Sequence, residues 1–253
     1  MKLKVCSFNA RFASNHESDG INNFFRRTGR IAEFLKEVDP DIIGFQEITP
    51  EMREWFVENM PDYYIVGGGR NPDYSGESSM IGFKKRDMML VSCETVALSS
   101  APSVPGSRYE GSDQSTCPRI YTKVKLAHKD IAEPFYAYNI HTDHIGKMAR
   151  ALAIMQLVQD VSAHDLPFVM TGDFNAQPYM DEVKLITKNP RFVDTTAELG
   201  YTFHGFGKYE GVKIDYIFAD ARMTVVESCR THTDAVDGVY VSDHCPIYTV
   251  FDM

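Results

Sequence analysis

The chain has 253 residues, 43% of them hydrophobic, with one Trp and a formal net charge of −9. That is enough apolar material for a large core, and with no internal repeat and no Pro/Gly/Ser-rich or charged linker, one domain over residues 1–253 is expected. The acidic balance argues against a broad basic face for gripping a nucleic-acid backbone and leaves room for a local basic groove.

Cys6, Cys93, Cys117, Cys229 and Cys245 form an odd set without a C-x-x-C pair, so they read as reduced thiols. Met1 to Val5 enter a strand pattern directly, and no apolar run approaches the roughly 18 residues of a membrane span. The expectation is a cytoplasmic protein, or a mature chain whose signal has been removed.

Leu3 to Phe8 alternates like a half-buried strand and ends at Asn9. Ile31, Phe34, Leu35 and Val38 fall on one helical face, which Asp39-Pro40 stops. The apolar run from Asp41 to Phe45 predicts a strand that delivers Gln46 and Glu47, and Met52, Trp55 and Phe56 suggest a helix after Pro50. Strands are predicted over 79–83, 90–98 and 121–127, with a long surface loop over 99–118, which holds three Pro and two Gly. Phe135 to Ile140 is another strand, ending at His141-Thr142-Asp143-His144. Met148, Leu152, Met155 and Val158 mark a helix face, read as ordinary core packing. A further strand, Leu166 to Met170, runs into Thr171-Gly172-Asp173-Phe174-Asn175.

Taken alone, Gly-Asp-x-Asn is most often a turn, because turns demand those residue types. The recurrence of such groups argues otherwise. Asn9, Glu47, His141, Asp173 with Asn175, Asp215 and Asp243-His244 each sit in or directly after an apolar run. Carboxylate, amide and imidazole groups presented by six strands are what one site at a sheet edge requires. A carboxylate and an amide two apart on a strand also point the same way.

Six blocks in order carry a family resemblance: Ser7-Phe8-Asn9, Gly44-Phe45-Gln46-Glu47, Asn139-Ile140-His141, Gly172-Asp173-Phe174-Asn175, Ile214-Asp215-Tyr216 and Ser242-Asp243-His244. The chain resembles the endonuclease/exonuclease/phosphatase superfamily of metal-dependent phosphohydrolases, over nearly its whole length. These include DNase I-like nucleases, abasic-site endonucleases, inositol-polyphosphate 5-phosphatases, sphingomyelinases and deadenylases. The resemblance implies a DNase I-like four-layer α/β/β/α sandwich, two packed mixed sheets flanked by helices.

It also implies roles. Glu47 matches the principal ligand of a Mg²⁺ ion (Mn²⁺ as the alternative), helped by Asn9 and Asp243. Asp173 matches the group that activates the attacking water, and Asn175 the one that holds that water or a phosphate oxygen. His244 matches an imidazole that contacts the phosphate, with Asp215 fixing its ring, and His141 faces the same phosphate. Glu77, in Gly76-Glu77, resembles the acid that orients His141. The chemistry is coherent, because a phosphate ester repels anionic nucleophiles and needs a cation, a positioned water and donors to the transition state.

Arg11, Arg119, Arg150, His144 and His204 lie beside these blocks and are candidates to clamp further phosphate oxygens. Thr202-Phe203-His204-Gly205-Phe206 resembles a signature of bacterial members. Two departures from the family pattern stand out: Thr142 replaces an apolar residue, and Val96-Ala97-Leu98-Ser99 lacks the usual aromatics. The expected substrate is a small phosphodiester or phosphomonoester, with no membrane partner. A nuclease acting on DNA or RNA and a non-catalytic binding protein of the same fold are the alternatives.

Overall fold

A computed structural model describes residues 1–13 and 17–252. Its two six-stranded sheets are mixed. One runs β11-β12-β1-β2-β4-β3 and the other β5-β6-β7-β8-β10-β9. In the first sheet, β1 (Lys2–Asn9) and β2 (Ile42–Ile48) are parallel, flanked by β3 (Tyr63–Val66), β4 (Ser78–Lys84), β11 (Thr224–Arg230) and β12 (Ile247–Asp252). In the second, β7 (Phe135–His141) and β8 (Phe168–Asp173) are the parallel pair, flanked by β5 (Met88–Ala97), β6 (Ile120–His128), β9 (Phe192–Asp194) and β10 (Asp215–Asp220). All other pairings are antiparallel.

Strand alternation produces the layers. Leu3 and Val5 of β1 point between the sheets, where they meet Val124, Ala137, Val169 and Ile217. Cys6 and Phe8 point outward, under α1 (Phe24–Val38) and α2 (Pro50–Asn59). α3 (Lys147–Ser162) and α4 (Asp181–Thr187) cover the far side, on Tyr138, Phe168, Met170 and Phe218. This is the α/β/β/α sandwich that the resemblance implies. Burying each such Phe or Leu contributes on the order of 1.5–3 kcal/mol.

The helix face predicted for α3 is corrected. Its buried side is Ala149, Arg150, Ala153, Ile154, Leu157 and Val161, whereas Met148 and Met155 are each 56% exposed. The segment is apolar on several sides, so a four-residue spacing can be drawn through the wrong one. α3 also lacks a side-chain cap of its own at Gly146. Asp113, from the 99–118 loop, accepts the Met148 and Ala149 N–H groups at 3.1 and 2.9 Å and fills that role.

Directly below the parallel strand ends, the core turns polar. Gln46 Nε2 donates to Asn139 Oδ1 at 2.5 Å, Asn139 Nδ2 donates to the carbonyls of Phe45 and Met80, and Thr171 Oγ1 donates to Asn139 Oδ1. These bonds tie the two sheets together across their interface. The plug explains Gly44: a Cβ there would lie 1.9 Å from Thr171 Oγ1.

Candidate active site

Strand register assembles the site. His141 and Asp173 are partners across the parallel pair β7/β8, and Asp215 is the antiparallel partner of Asp173 from β10. Asn9 ends β1 opposite Gln46, which places Glu47 one residue beyond. The two sheets therefore deliver their functional groups to one shared edge, where the parallel strands end.

Local backbone re-aims two of these groups. The β2/β4 register slips between Phe45 and Ile48, and Glu47 inside that irregularity has φ 61°. Asn175 follows β8 with φ 46°. Left-handed backbone at non-glycine residues costs on the order of 1–3 kcal/mol, and it is tolerated where surrounding contacts over-determine it. Such contacts are present. Glu47 accepts from Asn9 Nδ2 at 3.1 Å and from the Phe12 N–H at 3.0 Å, while the Asn175 N–H donates to Asp173 Oδ1 at 2.9 Å.

Asp173 is the hub. Its Oδ2 accepts from Asn9 Nδ2 at 3.0 Å and lies 3.6 Å from His141 Nε2 and 3.8 Å from His244 Nε2. Burial and the Asp215 carboxylate push its pKa up to about 7, against the pull of His244 and the Asn175 N–H. His244 Nδ1 sits 2.8 Å from Asp215 Oδ2. Burial alone would lower the pKa of His244, but Asp215 and Asp173 outweigh it and raise it to about 10. His141 is pushed well below its ordinary value by burial and by Arg119 and Arg70, so it is neutral at pH 7.

The donor set fits a hard divalent cation. Ligand atoms of Glu47, His141 and Asp173 lie within 4.8 Å of one another; those of Asp173, Asp215 and His244 are as close, but the protonated His244 has no lone pair to give a cation. Asp243, held by the Ser242 hydroxyl at 3.2 Å, is raised by burial and by repulsion from Glu47. Carboxylates crowded until they raise one another's pKa values are short of positive charge, and oxygen donors suit Mg²⁺. Asn9 is less free than the other expected ligands: its amide nitrogen bridges Glu47 and Asp173, and its oxygen accepts the Arg11 N–H at 3.0 Å.

The remaining candidates divide. Arg11 pairs with Asp19 at 3.2 Å and stands 3.7 Å from Asp243. Arg119 donates to His144 Nδ1 at 2.8 Å. Glu77 shares a crevice with His141 but bonds Arg70 in bidentate fashion, at 3.0 and 2.6 Å, and makes no hydrogen bond to His141 among the described residues. Arg150 is buried, with its donors on Glu182 and the Asp143 carbonyl. His204 accepts from the Gly207 N–H at Nδ1, and burial and His244 lower its pKa to about 4, so it is a neutral ring. Its backbone N–H holds the Asp243 carbonyl at 3.0 Å. Thr142 is fully buried and donates to the Phe174 carbonyl, bracing the strand end after Asp173.

Two supporting residues, Arg27 and Thr202, were given no role from sequence. Arg27 is fully buried in α1 and donates to the carbonyls of Val241, Asn22, Ala10 and Arg11 at 2.5, 2.6, 2.8 and 3.0 Å. It thereby joins the segment after Asn9 to the segment before Asp243. The Thr202 hydroxyl accepts the Ile214 and Asp215 N–H groups, each at 3.0 Å, and fixes the start of β10. An arginine inside an apolar helix face is the only sequence signal for the first; the second opens the Thr202-Phe203-His204-Gly205-Phe206 block, which marked the residue without giving its hydroxyl a role.

Solved structures share the architecture. An endonuclease/exonuclease/phosphatase from Bacteroides vulgatus is 28% identical, with a TM-score of 0.91 and coverage of 100% of this chain and 99% of that one. A Bacteroides thetaiotaomicron mannosyl-6-phosphatase is 26% identical, with a TM-score of 0.89 and coverage of 99% and 100%. D. rerio TDP2, solved with a single-strand DNA product, is 17% identical with a TM-score of 0.79, covers 100% and 99%, and shares the fold. No curated protein matches the sequence. The model of the Endonuclease/Exonuclease/phosphatase family matches residues 6–244, and the chain belongs to that family.

Proposed function

We propose that the protein is a metal-dependent hydrolase of small phosphoesters, with its reaction centre at Asp173. The observation that carries this reading is the convergence on one carboxylate of a neutral imidazole, His141, and a protonated one, His244, beside Glu47. Glu47 and Asp243, with the Asn9 amide, would hold Mg²⁺ or Mn²⁺. A cation bound there supplies charge to phosphoryl oxygens and acidifies water.

Asp173, with a pKa near the working pH, takes the proton of the attacking water. The Asn175 N–H fixes the orientation of that carboxylate, and the Asn175 amide, held by the Thr142 carbonyl at 3.2 Å, stands beside it. His244 is kept positive by Asp215 and donates from Nε2 to a phosphoryl oxygen, a charge-assisted bond that strengthens as charge develops. His141 offers a second contact from the opposite side.

Two features favour a small substrate over nucleic acid. The arginines around the site are already paired, Arg11 with Asp19, Arg70 with Glu77, Arg119 with Asp143 and Arg150 with Glu182, so they do not form a free cationic track. The mannosyl-6-phosphatase relative, at 26% identity, supports a small phosphomonoester. The test is hydrolysis of p-nitrophenyl phosphate and bis-p-nitrophenyl phosphate with Mg²⁺ or Mn²⁺ and with chelator, alongside plasmid nicking at several salt concentrations. Metal-dependent turnover of the small esters is expected; salt-sensitive nicking as the dominant activity would replace this reading with a nuclease.

A further inference from the structure

Two residues before Asp215, Lys213 is buried without joining an ion pair among the described residues. Its Nζ donates instead to Thr196 Oγ1 at 2.9 Å and to the Asp215 carbonyl at 3.3 Å, and lies 4.1 Å from the centre of the Tyr216 ring. Thr196 is itself fully buried, and its hydroxyl donates onward to Asp194 Oδ1 at 2.7 Å. Burial lowers the pKa of Lys213, against the pull of Asp194 and Asp215. An ammonium is costly to bury, so its presence here calls for a reason beyond filling space.

Strand pairing supplies that reason. β10 pairs with β8 from Asp215 onward, but on its other side β9 reaches only as far as Phe218, opposite Asp194. The Ile217 carbonyl still finds the Thr195 N–H, just past β9, at 3.0 Å. Backbone groups alternate along a strand, so the N–H and carbonyl of Asp215 face the same way as those of Ile217, where no strand remains. Side chains stand in for it: the Thr202 hydroxyl takes the Asp215 N–H at 3.0 Å, and Lys213 holds the Asp215 carbonyl. The Asp215 backbone is thus clamped on both sides of its Cα, and the carboxylate it carries reaches His244 Nδ1 at 2.8 Å. An ammonium also brings positive charge near a carboxylate that lies within 4.8 Å of Asp173. We infer that Lys213 is a positioning residue for the reaction, standing in for a strand beside Asp215 and so aiming its carboxylate at His244.

The inference rests on the phosphohydrolase reading and adds to it a residue that acts through Asp215. It is tested by kcat and KM for p-nitrophenyl phosphate with Mg²⁺, for the wild type, Lys213→Met, Lys213→Arg, Asp215→Asn and the double variant Lys213→Met/Asp215→Asn, with each melting temperature measured. Lys213→Met is expected to lower kcat by at least about tenfold, the lower scale for a lost outer partner, while KM stays within about threefold. Lys213→Arg keeps the charge and a donor and should recover part of the loss. Groups that act as one unit are not additive, so Lys213→Met should cost less than about threefold in the Asp215→Asn background. In metal-free protein, the low-field proton resonance of the His244 Nδ1–H bond should shift in Lys213→Met and return towards its wild-type position in Lys213→Arg. Should Lys213→Met fail to fold, Lys213→Gln, which keeps a donor but not the charge, is held to the same outcomes. Wild-type kcat in a folded variant, losses that multiply in the double variant, or an unmoved resonance overturns the role of Lys213 and leaves the hydrolase reading intact. Absence of metal-dependent turnover by the wild type overturns that reading instead, and the resonance then decides alone whether Lys213 holds the Asp215–His244 pair.

Discussion

His244 Nδ1, in the segment before β12, lies 2.8 Å from Asp215 Oδ2 at the start of β10, and this contact keeps a buried imidazole charged. The raised pKa has a definite sign. The contribution of this pair to stability is fully present below the ordinary histidine value, about 6.5, and is lost as pH rises through about 10.

Asp215→Asn removes the charge while keeping the shape. The His244 ring is then expected to titrate several units lower, read by NMR of the imidazole protons. The alkaline limb of the kcat/KM profile should move to lower pH, and kcat should fall by roughly 100-fold or more, the scale of one transition-state donor. A variant with wild-type pH behaviour would remove His244 from the chemistry.

Crowded carboxylates predict how the protein responds to metal. Mg²⁺ should raise the melting temperature, and about 2.7 kcal/mol of stabilisation is expected at 100 times the dissociation constant. Chelator should abolish both that shift and activity. Glu47→Gln should lose the shift while remaining folded without metal, as scanning calorimetry would show; an undiminished Mg²⁺ shift in this variant would mean that Glu47 is not a ligand.

Arg27→Met should be severely destabilising. It strands the carbonyls of Ala10, Arg11 and Val241 inside the fold, and each unsatisfied buried group costs about 1–3 kcal/mol. Urea denaturation should show a total loss above about 3 kcal/mol. Arg27→Lys, which retains charge but not the fork, should recover only part of it.

Asp220 sets part of the acid limit. Its buried carboxylate is raised by burial but pulled lower still by bonds from Arg222 and Arg191, leaving it at about 2. A depressed carboxylate stabilises above its unfolded value and loses that contribution as pH falls from about 4 towards 2. With Arg222 half-exposed and screened, the contribution is on the order of 1–2 kcal/mol. Asp220→Asn should flatten the decline in stability between those pH values, measured by urea midpoints.

Part of the site was legible in sequence because Asn9, His141 and Asp173 close apolar strands, whereas Asp215 opens β10 and His244 precedes β12, so six strand ends do not build the site as expected. Asn9, Glu47, His141, Asp173, Asp215 and His244 converge all the same. What pairs with what was not legible. Glu77 turned to Arg70 rather than His141, and Arg150 to Glu182, because ion pairs formed across a loop or between elements carry no periodicity. α3 was misread for the opposite reason, since Met148 and Met155 share a spacing with residues that do face the core. The short strands β3 and β9 and the helix α4 gave too few residues for a period to register.

The most direct test of the central claim is Mg²⁺-dependent phosphate release from a small phosphomonoester by the wild type and by Asp173→Asn, with both proteins shown to be folded by circular dichroism. The account predicts turnover by the wild type that chelator removes, and a fall of at least about 1,000-fold in the variant, beyond the typical lower range for a lost general base. A folded Asp173→Asn protein that retains wild-type turnover would contradict it.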